Sequence, residues 1–178
     1  MKLQADPDVV ARLAEEREEA NWRFRSFLKG IDLEVEELDA IVHRHFEDVA
    51  SRIDCCACGN CCRLLLPTLD DADVSRLAEG LATTSDEIVS QYLTRNENGD
   101  LTFNRRPCPF LTGNRCRVYE YRPEACRSYP HLQKADFVFR LVQAVSNCSV
   151  CPISFNVYER LKDELWHRHR QDDEWEDA

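Results

Sequence analysis

Nine of the ten cysteines in this 178-residue chain fall into three spaced groups, and metal ligation is the chemistry such spacing serves. The first group reads Asp54-Cys55-Cys56-Ala57-Cys58-Gly59-Asn60-Cys61-Cys62. Cys55, Cys58 and Cys61 keep an x-x spacing, which lets a tight turn aim two sulfurs at one centre, and Gly59 lets the backbone come close. A third cysteine at the same spacing suits a cuboidal iron–sulfur cluster. The second group is Cys108, Cys116 and Cys126, in RPCPFLTGNRCRVYEYRPEACRSYP. The third is Cys148-x-x-Cys151 followed by Pro152, at the expected mouth of a helix, where free amides stabilise thiolate. Zinc draws cysteines in pairs from separate turns, so Cys55 and Cys58 with Cys148 and Cys151 would make an ordinary four-cysteine zinc site. Both metals are open on spacing alone. Cys56 breaks the spacing and reads as a packed thiol. Cys61 and Cys62 diverge if the backbone there is extended, so one of them would serve another centre or none.

Other chemistry has little to stand on. His43 and His45 fall on opposite sides of an expected helix, and His167 and His169 belong to a polar end. His131, five residues after Cys126, is the one histidine placed near the cysteines. No Gly-rich phosphate loop, Ser-His-Asp pattern or paired-carboxylate motif is visible, so catalytic residues are unassigned and an enzyme would have only the metal to work with. Tyr119, Tyr121 and Tyr129 read as packing around the cysteine turns. Within residues 103–127, Arg105, Arg106, Arg115, Arg117, Arg122 and Arg127 stand against Glu120 and Glu124, an excess suited to offsetting thiolate charge.

The formal charge of −10 excludes a nucleic-acid backbone as the main partner. No apolar run of 18 residues exists, so no membrane partner is expected. The N-terminus lacks the apolar core of a signal peptide, which points to the cytoplasm, where thiols stay reduced.

These groups need elements to position them. Residues 1–54 carry 8 Lys/Arg and 14 Asp/Glu and are expected to form an acidic helical hairpin. Asp6-Pro7 opens its first helix, with Val10, Leu13, Ala20, Phe24 and Phe27 on one face and Gly30 at its end. A second helix follows Asp32, with Leu38, Ile41, Val42, His45, Phe46, Val49 and Ile53 as its apolar stripe. This arm is a possible docking surface for a protein partner. Residues 55–152 form the cysteine-cluster, metal-binding domain. In it Thr68 and Asp70 introduce a short helix, and Thr84-Ser85-Asp86-Glu87 opens another that carries Leu93. Asn98-Gly99 and Thr112-Gly113-Asn114 mark hairpin turns, and Arg122-Pro123 starts one helical turn. Residues 137–145 (FVFRLVQAV) are apolar and β-leaning, as a core strand would be. Residues 153–178 complete the chain as a helix, with Ile153, Val157, Leu161 and Leu165 on one face, and an acidic tail. The fold class expected is mainly α with small β-hairpins: an irregular, metal-stapled cysteine core preceded by a helical hairpin.

Cys-x-x-Cys-x-x-Cys-Cys, then Cys-Pro-Phe-Leu, then Cys-Arg-Val-Tyr-Glu-Tyr-Arg-Pro-Glu-Ala-Cys-Arg resembles the YkgJ-type cysteine-cluster family. That family is described as zinc- or iron-chelating and includes relatives of flagellin lysine N-methylase. The resemblance covers about residues 54–152. It implies Cys55, Cys58, Cys61, Cys62, Cys108, Cys116 and Cys126 as family cysteines, with Cys148 and Cys151 beside them, and gives Cys56 no place. The reading favoured is an iron–sulfur cluster in a redox or metal-handling role. Zinc in a structural or interaction module is the alternative, and a metal-dependent, methylase-like protein-modifying enzyme a further one.

Overall fold

The computed structural model describes residues 2–166, so His167, His169 and the acidic tail lie outside the described residues. The chain folds as two compact units, one built from residues up to 54 together with those from 130 onward, the other from residues 55–129.

The first unit is helical. Asp6 caps α1 (Pro7–Glu16) by accepting the amides of Asp8 at 2.9 Å and Val9 at 3.3 Å, with Pro7 in the first turn. The helix expected to run on towards Gly30 is interrupted at Arg17, whose φ of −108° and ψ of 12° break the spiral before α2 (Glu18–Leu28) resumes it. The guanidinium of Arg17 pairs there with Glu159. α3 (Val35–Ala50) starts after Glu34, which with Glu37 forms a reciprocal capping box. α9 (Leu141–Cys148) and α10 (Pro152–Leu161) follow, and α10 runs into a π-helical turn over Lys162–Trp166.

α10 is the axis of this unit. It packs on α3, α9 and α1, and its residues are buried nearly all round rather than along one stripe. A helix so enclosed must pair its polar groups internally. Asn156 exchanges hydrogen bonds with the backbone of Gln4, at 3.0 and 2.7 Å. Lys162 donates to Asn21 Oδ1 at 2.9 Å and pairs with Glu159, and the Tyr158 hydroxyl donates to the Asn21 carbonyl at 3.2 Å.

Residues 137–145 are not a strand. Phe137–Arg140 form a 3₁₀ turn and residues from Leu141 are α9. The physical reason is visible in burial: Leu141, Ala144, Val145 and Cys148 face inward at helical spacing, while Val142, Gln143 and Ser146 are exposed. The Asp39 carboxylate fixes the entry by accepting the amides of Asp136 at 2.6 Å and Phe137 at 2.8 Å.

The second unit is mixed. β1 (Thr68–Leu69), β2 (Leu93–Arg95) and β3 (Leu101–Phe103) form an antiparallel sheet in the order β1-β3-β2. Asp70 caps α6 (Asp71–Leu81), and Thr84 caps α7 (Ser85–Tyr92) with Glu87 completing the box. Leu93, expected on that helix, instead opens β2 and pairs with Phe103. β4 (Leu111–Thr112) and β5 (Arg115–Cys116) make a separate hairpin through the Gly113-Asn114 turn. Leu77, Ile88, Phe103 and Phe110 centre its hydrophobic core, and Cys108, Cys116 and Tyr121 pack against the edge of that core.

Candidate metal centre

The first cysteine block is two short helical pieces with a glycine between them. α4 (Cys55–Cys58) ends at Gly59, in the left-handed region at φ 61°, and α5 (Asn60–Leu64) follows. The backbone at Cys61 and Cys62 is therefore helical, not extended, and the two thiols are neighbours: the S–H of Cys61 donates to the Cys62 sulfur. A side-chain clasp holds the block on the β4–β5 hairpin. Asn114 Nδ2 donates to the Ala57 carbonyl at 2.6 Å, and Arg63 donates to the Cys58 carbonyl at 2.9 Å, to the Gly113 carbonyl at 3.3 Å and to Asn114 Oδ1. Cys108 joins through its amide, which donates to the Cys62 carbonyl at 2.8 Å.

The second block rests on α6. Buried Asp73 accepts the Glu124 amide at 2.8 Å, at the head of α8 (Glu124–Ser128), which carries Cys126. The same carboxylate pairs with Arg76 at 2.8 Å, and Arg76 donates onward to the Arg122 carbonyl at 3.3 Å. Tyr121 lies flat on α6 at Gly80, where a Cβ would stand 2.4 Å from its ring. Arg127 donates to the carbonyls of Arg122, at 3.0 Å, and Glu120. Its part is to brace the turn.

These supports bring Cys62, Cys108, Cys116 and Cys126 into one electrostatic neighbourhood. A charge on Cys62 bears on each of the other three, and Cys126 also feels Cys108 and Cys116. The hydrogen bond from Cys61, with the charges of Arg122 and Arg63, pulls the Cys62 thiol down to about 7. Burial pushes Cys108 up to about 11 and, with the charges of its three neighbours, Cys126 up to about 12. Burial raises Cys116 as well. Among the described residues no three His, Cys, Asp or Glu side chains stand closed on a common point. The four sulfurs are electrostatic neighbours and do not converge on one point. Four thiols from four separate backbone segments, one already inclined to ionise, are a donor set that fits zinc or iron.

The remaining cysteines are placed differently. Cys55 is exposed at the start of α4 and Cys58 half-buried at its end, both in the clasped block. Cys148 and Cys151 belong to the helical unit. Cys148 is 1% exposed, its thiol donating to the Ala144 carbonyl at 3.2 Å, and Cys151 sits at the N-cap of α10. His131 is also in the helical unit. Cys56, which spacing left without a role, shares a side-chain hydrogen bond with Tyr119 and bears on Cys116. Arg63, Asp73 and Gly80 escaped the sequence reading, and Asn114 was read only as part of a turn. Only the Gly113-Asn114 turn signal pointed anywhere near them.

The family model CxxCxxCC, described as "Putative zinc- or iron-chelating domain", matches residues 54–152. No curated protein and no solved structure matches the chain.

Proposed function

The chain belongs to the CxxCxxCC family of zinc- or iron-chelating domains, and from that premise we propose that it carries an iron–sulfur cluster in a redox or metal-handling role. The observation that carries the proposal is the grouping of Cys62, Cys108, Cys116 and Cys126 beside the triple-spaced run of Cys55, Cys58 and Cys61. More thiols stand in this unit than one mononuclear site takes, and a cluster uses a short loop of spaced cysteines well. When bound, such a cluster supplies one-electron transfer. The chain's own part is to hold the sulfurs and to keep water from those that are partly buried. Cys148 and Cys151 are assigned as auxiliary thiols of the helical unit.

Zinc has one specific observation in its favour: a four-thiol set drawn from separate turns is the composition of a closed structural zinc site. Either metal needs reduced thiols, so a reducing compartment such as the cytoplasm is part of the proposal. The exposed acidic side of residues 2–54 is the surface assigned to a protein partner.

The test is anaerobic purification from iron-replete cells, with assay of iron, zinc and acid-labile sulfide. A brown protein with iron and sulfide is expected. A colourless protein with stoichiometric zinc and no sulfide overturns the cluster and establishes the zinc reading.

A further inference from the structure

We infer that Arg105, Arg106, Arg115 and Arg117 form a docking surface for an acidic segment of a partner protein, recognised through its carboxylates.

Residues 55–129 hold nine arginines and no lysine. Five are in use: Arg63, Arg76, Arg95, Arg122 and Arg127 each donate from the guanidinium to an acceptor within the unit. The other four are exposed, and among the described residues their side chains make no hydrogen bond, ion pair or ring contact. No Asp or Glu occurs from Leu101 to Tyr119, so no acid of their own stretch neutralises them.

The fold gathers them. Arg105 and Arg106 sit on the loop that leaves β3 at Phe103 and returns at Phe110, and those two rings meet edge to face at 5.6 Å. Arg117 is tied to the same return point, its amide donating to the Phe110 carbonyl at 2.9 Å. Arg115 opens β5 and pairs with Thr112 across the hairpin. Arg115 and Arg117 flank Cys116, which packs against the edge of the core, so alternation along the strand turns both guanidiniums outward. Offsetting thiolate charge would call for cations turned inward.

The guanidinium fork matches the paired oxygens of a carboxylate or a phosphate, a geometry that lysine lacks. A nucleic acid suits the surface less well. The chain's charge of −10 opposes a long polyanion, and a single strand also needs aromatic faces for its bases. Phe103 and Phe110 are 2% and 1% exposed, and Arg122 already covers the Tyr119 ring at 3.4 Å. A short acidic segment needs only the local patch, because at physiological ionic strength charges beyond about 8 Å are largely screened. The inference needs the four arginines alone and stands whichever metal the thiols take.

The experiment follows fluorescence anisotropy of a fluorescein-labelled peptide of alternating glutamate and alanine, titrated with the full-length chain without oxygen. The same peptide with glutamine for glutamate, and a labelled single-stranded RNA of equal charge, are run beside it. Wild type is compared with R105Q/R106Q, R115Q/R117Q and R115K/R117K, and with R12Q/R23Q, which removes two exposed arginines of the helical unit. Wild type should bind the glutamate peptide and not the glutamine one, less tightly as salt rises. Each glutamine pair in the patch should weaken binding about tenfold, as the loss of two exposed ion pairs would. R115K/R117K should recover part of the loss, R12Q/R23Q should bind as wild type, and all variants should melt as wild type. No binding by wild type, or patch variants that bind as tightly, overturns the inference. Equal weakening in R12Q/R23Q shows charge without a site and overturns it, as does weakening found only in variants that melt lower. RNA bound more tightly than the peptide, and lost in the patch variants, overturns it in favour of a nucleic-acid surface.

Discussion

Gly59 and Asn114 stand so close that a Cβ on Gly59 would lie 2.9 Å from the Asn114 carbonyl oxygen. The same glycine has φ at +61°, so space and backbone both exclude a side chain. Gly59→Ala is expected to destabilise the cysteine unit by about 1–2 kcal/mol from the left-handed backbone alone, and by more once the hairpin is pushed away. Thermal melting checks the first effect. Metal content checks the second, since displacing the hairpin moves Cys116 relative to Cys62.

Asp73→Ala removes three things together: the acceptor for the Glu124 amide, the partner of Arg76 and the N3 half of the α6 capping box. A loss of about 1–3 kcal/mol is expected, because a part-buried amide loses its acceptor and Arg76 its partner. Asp73→Asn keeps an oxygen for the amide and should fall between the two in denaturant unfolding. Both variants should lose metal more readily than wild type, since α8 carries Cys126.

Cysteine-to-serine variants at positions 56, 58 and 126 separate ligands from supports. Cys58→Ser and Cys126→Ser should lose metal or change its spectrum, because a hydroxyl is a harder donor and a far weaker acid than a thiol. Cys56→Ser should keep its metal, as a serine hydroxyl can still share a hydrogen bond with Tyr119. Cys148→Ala makes a cavity in the helical unit, costs about 1 kcal/mol and should leave metal content unchanged. Loss of metal from Cys148→Ala would extend the ligand set into that unit.

Proton release should mark metal uptake. At neutral pH the thiols of Cys108, Cys116 and Cys126 are protonated, because burial raises all three, and Cys62 joins them below about 7. Each displaced proton contributes about tenfold to apparent affinity per pH unit, so affinity should rise about a thousandfold per unit just above pH 7 and more steeply below it. Competition against a chelator at pH 6.5, 7.5 and 8.5 measures the slope. The metal-free chain runs the opposite way. Its buried thiols resist ionisation, whereas unfolded thiols ionise from about pH 8.5, so its melting temperature should fall as pH rises from about 9 towards 12. A flat melting profile there would mean these thiols are no more buried folded than unfolded.

Local signals carried the sequence reading a long way. Asp6-Pro7, the Thr84–Glu87 box, Asn98-Gly99 and Arg122-Pro123 act within a few residues, and each marks an element boundary in the structure. Residues 137–145 misled because an apolar run of that length carries both periods, and only packing against the rest of the helical unit selects one. The clasp was illegible for another reason. Asn114 reaches Ala57 across 57 positions and Asp73 reaches Glu124 across 51, and polar side chains announce no partner at such range. Cys56 was discounted because spacing describes ligands and says nothing of what holds them.

The helical unit is interrupted in sequence by the whole of the other one, and this sets an order for synthesis. The first three helices leave the ribosome without α10, the helix whose buried face they cover, and the bond from Gln4 to Asn156 must wait for 152 further residues. At the usual pace of translation, the 75 residues of the cysteine unit take about 4–15 s to emerge. When it ends, the helical unit still awaits the residues from 130 onward while the cysteine unit is complete in sequence. Its thiols meet the cell's metal and oxidants while Phe24, Leu38 and Val42 still lack their cover. Nascent chains stalled just after residue 129 therefore have every contact within the cysteine unit and lack α9 and α10.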